Sequence, residues 1–171
     1  MRARLFIIGA ALMVAPLLIT ACGSSSKGSS STPTTTGGGV TVPTTASGAT
    51  TVHVTVSDTK GLDGPMTLTA DTSSVPAGDV TFTVKNTGTI DHEVVVLKTD
   101  TAFDKLKITT FDGEPNRVDE GSSVGETGDP ALKPGESRSF TLKGMKAGAY
   151  VLVCNIAKHY GLGMRAAFTV S

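Results

Sequence analysis

Near its C-terminus the chain reads Cys154-Asn155-Ile156-Ala157-Lys158-His159-Tyr160-Gly161-Leu162-Gly163-Met164. A thiol, an imidazole and a thioether thus recur with C-x4-H-x4-M spacing, in a glycine-punctuated segment that reads as a loop between two strands. A second imidazole, His92, opens the valine-rich run His92-Glu93-Val94-Val95-Val96. Soft sulfur ligands favour Cu(I), and imidazole is acceptable to both oxidation states, so this set of side chains suits copper. Two His and one Cys in a trigonal plane, with a weak axial Met, make an electron-transfer site. Here His92, Cys154 and His159 would form the plane and Met164 the axis. Each residue also has an ordinary reading, since a Met packs cores and a lone Cys is often simply buried. The four candidate ligands together, in a strand context, favour the metal.

The remaining composition narrows the alternatives. The 171 residues carry 15 Lys+Arg against 15 Asp+Glu, a formal net charge of 0, with no Trp and 2 Cys. Nucleic-acid affinity comes largely from clustered Lys and Arg that displace counterions, so nucleic acid is not an expected partner. Two cysteines cannot make a disulfide scaffold, and the fold must rest on an apolar core. No Ser-His-Asp set, G-x-S-x-G elbow, H-E-x-x-H helix or phosphate-cradling glycine loop is present, so the chain is not expected to be an enzyme.

Three segments are expected. Residues 1–21 have the form of a signal peptide: Arg2 and Arg4, then an apolar run broken only by Gly9 and Pro16. The run is shorter than the roughly 20 apolar residues of a membrane span. It ends in Ile19-Thr20-Ala21-Cys22, which resembles the bacterial lipobox and implies that Cys22 is lipidated and becomes the mature N-terminus. An ordinary secretory signal with an incidental cysteine is the alternative. Residues 22–50 form a linker that is expected to be disordered: 21 of the 28 positions from 23 to 50 are Gly, Ser or Thr. Such a tether spans roughly 30 Å as a coil and lets a domain search sideways above a membrane. With Cys22 taken by lipid, Cys154 is the single cysteine of the folded part, in an oxidising compartment where metal ligation is one of few good explanations for it.

Residues 51–171 form the third segment. The runs 51–57 (TVHVTVS) and 80–85 (VTFTVK) alternate apolar and polar residues with a period of two, as half-buried strands do. Further strands are expected over 66–70, 93–97, 139–142, 149–153 and 166–170, separated by turns such as Lys133-Pro134-Gly135 and Lys146-Ala147-Gly148. Seven short strands indicate an all-β sandwich. The stretch 101–130 reads as a long excursion between two core strands, with Phe103, Leu106 and Ile108 as a helical turn or short strand. From 100 to 129 there are 8 acids against 3 bases, either an acidic docking face or a solvated loop.

The domain resembles the cupredoxins, the family of plastocyanin, azurin and auracyanin. The resemblance rests on Asn86-Thr87-Gly88 leading to Asp91-His92-Glu93, on Pro134-Gly135-Glu136 before a strand, on Ala147-Gly148-Ala149-Tyr150 leading into Val153-Cys154, and on the Cys-His-Met loop. It implies a Greek-key β-sandwich with one copper ion at one end, held by His92, Cys154, His159 and Met164. Two departures stand out. Lys158 occupies a place where relatives often have a small residue or Gly, and Glu93 one where they have an Asn that hydrogen-bonds the thiolate. The flanks Val153 and Asn155 exclude the His-bridged multicopper arrangement, and a single loop cysteine excludes a binuclear centre. The expected function is a membrane-tethered type 1 copper protein that carries single electrons between redox partner proteins, at the outer face of the cytoplasmic membrane. A copper buffer, chaperone or resistance protein that passes metal to acceptor proteins would use the same ligands. A monomer is the default expectation. His53 reads as a surface or rim residue, and Tyr160 as either an edge of the site or packing.

Overall fold

A computed structural model describes residues 48–111 and 113–171. The expected signal peptide, the lipidation of Cys22 and nearly all of the 22–50 linker lie outside the described residues. The strands are β1 (Thr50–Asp58), β2 (Met66–Ala70), β3 (Ser74–Val75), β4 (Gly78–Asn86), β5 (Val95–Lys98), β6 (Ile108–Phe111), β7 (Glu114–Val118), β8 (Ser123–Glu126), β9 (Ser137–Met145), β10 (Gly148–Val153) and β11 (Arg165–Val170). One sheet has the order β2-β1-β4-β9, a second β3-β11-β10-β5-β8, and β6 pairs with β7 as a hairpin. The described residues form an all-β Greek-key sandwich.

The period-two pattern dictates the core. Val52, Val54 and Val56 of β1 are buried while Thr51, His53 and Thr55 face water. The parallel register of β1 on β4 sets Val52 beside Phe82 and Val54 beside Val84, so one row of branched and aromatic side chains lines the inner face. Phe82 joins the two sheets. Its ring stacks on Phe140 of the neighbouring β9 at 5.3 Å and meets Phe168 of β11 edge-on at 5.4 Å. His53 is exposed on the outer face of β1, a surface position, and its main-chain N–H bonds Asp71 Oδ1.

All seven expected strands form, and four further strands join them. β3, β6, β7 and β8 were not individually legible, and the excursion holds three of them. The short β8 offers no apolar pattern: Val124 is 42% exposed, and the strand is held by its main-chain ladder to β5. It also passes so close to β9 that a Cβ on Gly125 would lie 2.4 Å from Leu142 Cδ2. The excursion covers the outer face of the second sheet. Val95, Leu97, Val151 and Val153 pack there with Val118 and Tyr160, in a cluster separate from the inter-sheet core. Burial on both faces explains why β5 and β10 read as continuous apolar runs rather than alternating ones. Tyr160 pins this cover: its hydroxyl donates to Phe103 O at 2.9 Å and accepts the Leu106 N–H at 3.0 Å.

Candidate metal centre

His92 does not lie in a strand. It sits ahead of β5 and makes an isolated antiparallel bridge with Leu132, His92 N–H to Leu132 O at 3.0 Å and Leu132 N–H to His92 O at 2.8 Å. The turn before it is organised by Asn86, whose side chain is fully buried. Its Nδ2 donates to Ile90 O and Leu132 O, both at 2.8 Å, and its Oδ1 accepts the Gly88 N–H at 2.8 Å. An amide has two donors and an acceptor, so no other buried side chain of that size could serve all three groups.

The other three candidates come from the loop between β10 and β11. Its ends are tied together, Cys154 N–H to Met164 O and Met164 N–H to His159 O, each at 3.1 Å. His159 N–H bonds Ile156 O at 3.0 Å, and Arg165 reaches back to Tyr160 O at 2.8 Å. The tight loop forces Lys158 to a φ of +74°, the left-handed region. That conformation favours glycine over a residue with a side chain. The Lys158 side chain itself is exposed.

Three donor atoms converge at this place. His92 Nδ1 and His159 Nδ1 lie 3.2 Å apart, with Cys154 Sγ 3.3 Å from the second and 4.0 Å from the first. The point equidistant from a triangle with these edges lies about 2.1 Å from each corner, within the roughly 2.0–2.3 Å span of nitrogen and sulfur bonds to a first-row ion such as zinc. The donor set therefore fits one small, imidazole- and thiolate-seeking ion. Cys154 and His92 are fully buried, His159 is 2% exposed, and Met164 is buried in the inter-sheet core. Burial pushes the His159 imidazole down to about 4, helped by the neighbouring His92. Burial lowers His92 also, against the pull of Asp58. Both rings are thus neutral and able to bind a metal at neutral pH. Burial pushes the Cys154 thiol up to about 12, opposed by the main-chain N–H groups of Glu93 and Ile156, so a bound cation is what would stabilise its thiolate.

Residues 53–171 match the family described as copper binding proteins, plastocyanin/azurin family. The chain belongs to that family. It is a cupredoxin, and its cofactor is one copper ion. The crystal structure of dithionite-reduced auracyanin from the photosynthetic bacterium Roseiflexus castenholzii is 29% identical at a TM-score of 0.51, covering 72% of this chain and 99% of that one. An auracyanin B structure is 23% identical at a TM-score of 0.50, covering 72% and 89%, and bears on the fold alone. No curated protein matches the chain.

The departure at Glu93 has a simple resolution in this cupredoxin. The hydrogen bond to sulfur comes from the main chain, Glu93 N–H to Cys154 Sγ at 3.4 Å, and does not depend on the side chain at that position. The Glu93 carboxyl has a different consequence. Burial raises it to about 7, with repulsion from Glu120 and Glu126 adding and Arg117 opposing. Part of the acidic excursion therefore gathers beside the copper end. An acid whose folded pKa exceeds its unfolded value loses folded-state stability as pH rises from about 4.5 to about 7. The metal-free domain is expected to be less stable at pH 8 than at pH 5 by about 1–3 kcal/mol through this group. Glu93→Gln should flatten that difference, as read from thermal melts at the two pH values. An unchanged slope in the variant would remove Glu93 as its source.

Two supporting residues escaped the sequence reading. Asn155 acts as a false strand, its Nδ2 donating to Val118 O at 3.0 Å and its Oδ1 accepting the Val118 N–H at 2.8 Å, so the residue after the cysteine fastens the end of β7. Asp58, at the end of β1, reaches His92 Nε2 at 3.0 Å. Nothing local marks either one: each acts on a segment more than thirty residues away.

Proposed function

We propose that this cupredoxin is a single-electron carrier in which His92 Nδ1, Cys154 Sγ, His159 Nδ1 and the thioether of Met164 would hold the copper. The observation that carries the reading is the triangle of 3.2, 3.3 and 4.0 Å between the three donor atoms, on side chains that are all buried. Copper, when bound, supplies a one-electron Cu(II)/Cu(I) couple. The chain supplies the rest. The imidazoles are held neutral and the thiol meets the Glu93 N–H. The pinned loop and the His92–Leu132 bridge restrict ligand movement, so little rearrangement accompanies a change of charge. Burial keeps water from the ligand atoms.

The reading is tested by titrating the protein with Cu(II) and following visible absorption and electron paramagnetic resonance. An intense thiolate-to-copper band at one copper per chain, bleached and restored by mild reductant and oxidant without loss of metal, is the expected result. Rapid release of copper to an acceptor on reduction would replace the electron carrier with a delivery protein. Pale, weak binding would remove the ligand assignment itself.

The same proposal places the domain, residues 51–171, outside the cytoplasm as a monomer, tethered by the 22–50 linker to lipid on Cys22 and serving membrane-bound redox partners. The lipobox-like Ile19-Thr20-Ala21-Cys22 and the Gly/Ser/Thr tether support it. Cys22→Ala is expected to shift the protein from the membrane to the soluble fraction, and retention in the membrane fraction would count against the anchor.

A further inference from the structure

The side chain of Asp58 is completely buried, and so is that of His92. Apart from the imidazole, four donors meet its carboxyl group. Gly61 N–H reaches Oδ1 at 2.7 Å, Thr89 N–H reaches Oδ2 at 2.7 Å, Ile90 N–H reaches Oδ2 at 3.2 Å, and the Thr89 hydroxyl donates to Oδ1. Main-chain N–H groups can only donate, so the carboxyl is held as an acceptor, which is its ionised form. The proton shared with His92 then resides on His92 Nε2, 3.0 Å from Oδ2. That leaves the lone pair on Nδ1, the atom that faces Cys154 Sγ and His159 Nδ1.

The surrounding chain is shaped for this contact. A Cβ on Gly88 would stand 2.2 Å from Asp58 Oδ2 and 2.8 Å from His92 Nε2, so only glycine leaves room for the pair. Gly88 is in turn placed by its N–H bond to Asn86.

We propose that Asp58 is a positioning residue for the copper site: its carboxylate selects the Nε2–H form of His92, aims Nδ1 at the metal, and favours Cu(II) over Cu(I) by placing a buried negative charge behind a ligand ring. The inference rests on His92 being a copper ligand, as proposed above. A carboxylate bonded to the far nitrogen of a ligating His fixes the ring and raises its basicity. In a low-dielectric interior its charge acts on the metal more strongly than it would in water.

Two measurements test it. In the metal-free wild type, 15N-resolved imidazole spectra should show His92 as the Nε2–H tautomer, and Asp58→Asn should weaken that preference. In the copper-loaded protein, Asp58→Asn should raise the preference for Cu(I) over Cu(II) at least tenfold, which for one electron is a rise of about 59 mV in potential. Gly88→Ala keeps the carboxylate but forces the pair apart, and should move the potential in the same direction. An Nδ1–H tautomer in the wild type would overturn the proposal even if both variants failed to fold. Potentials of folded variants within twofold of the wild-type preference would overturn the electrostatic part. Absence of a thiolate-to-copper band in the wild type would be a failure of the ligand assignment, and is distinguishable from either result.

Discussion

A Cys154→Ser variant is expected to lose the thiolate-to-copper band entirely and to bind copper more than about 100-fold more weakly, because it removes a direct ligand where loss of an outer partner alone costs about 10–100-fold. The reason is chemical softness. A thiolate shares charge with copper and favours Cu(I), whereas a hydroxyl neither ionises at neutral pH nor matches either oxidation state as well. The fold should survive. Cys154 is small, and the Glu93 N–H beside its sulfur can serve a hydroxyl oxygen instead. Circular dichroism like that of the wild type, together with a colourless copper titration, would separate loss of the ligand from loss of the fold. A persistent blue band in the Ser variant would require another sulfur to be the donor.

The second large effect falls on stability and starts from Asn86. Its amide satisfies Ile90 O, Leu132 O and the Gly88 N–H while fully buried, and its own main-chain N–H and C=O pair with Glu136 O and Gly135 N–H. Asn86→Ala removes all three bonds and leaves Ile90 O and the Gly88 N–H without their partner, while Leu132 O keeps the His92 N–H. A buried polar group left unsatisfied costs about 1–3 kcal/mol, and relaxation recovers part of it, so a loss of about 2–4 kcal/mol is expected in urea unfolding of the metal-free domain. The same turn carries Gly88 and leads to His92, so the variant should also hold copper less tightly even where it remains folded. A loss below about 0.5 kcal/mol would mean that solvent or a neighbour replaces the amide.

Both predictions concern features visible in the sequence to different degrees. The Cys-His-Met loop was legible because three of the four candidate ligands lie within this one short segment between strands, and ligand chemistry depends on residue type. The strands of the sandwich were legible wherever one face is wet, as in β1, where Val52, Val54 and Val56 alternate with Thr and His. Legibility failed where burial is two-sided or absent. β5 and β10 lack alternation because the excursion covers them, and β8 lacks it because main-chain bonds hold an exposed edge. Tyr160 could not be assigned from its position beside His159. Its hydroxyl, bonded to Phe103 and Leu106, shows that it anchors the cover.

From residue types and spacing alone came the sandwich, the copper-suited donor set and the order in which the donors appear along the chain. These are local properties, written in period and composition. The identity of the ring nitrogen that faces the sulfur, the main-chain source of the hydrogen bond to Cys154, and the carboxylate of Asp58 behind His92 were decided only by the tertiary structure. Each joins atoms 34 to 67 residues apart in the chain. The physical reason is that a hydrogen bond or a buried charge acts over a few ångströms of space, and sheet pairing, not sequence distance, determines which residues share that space.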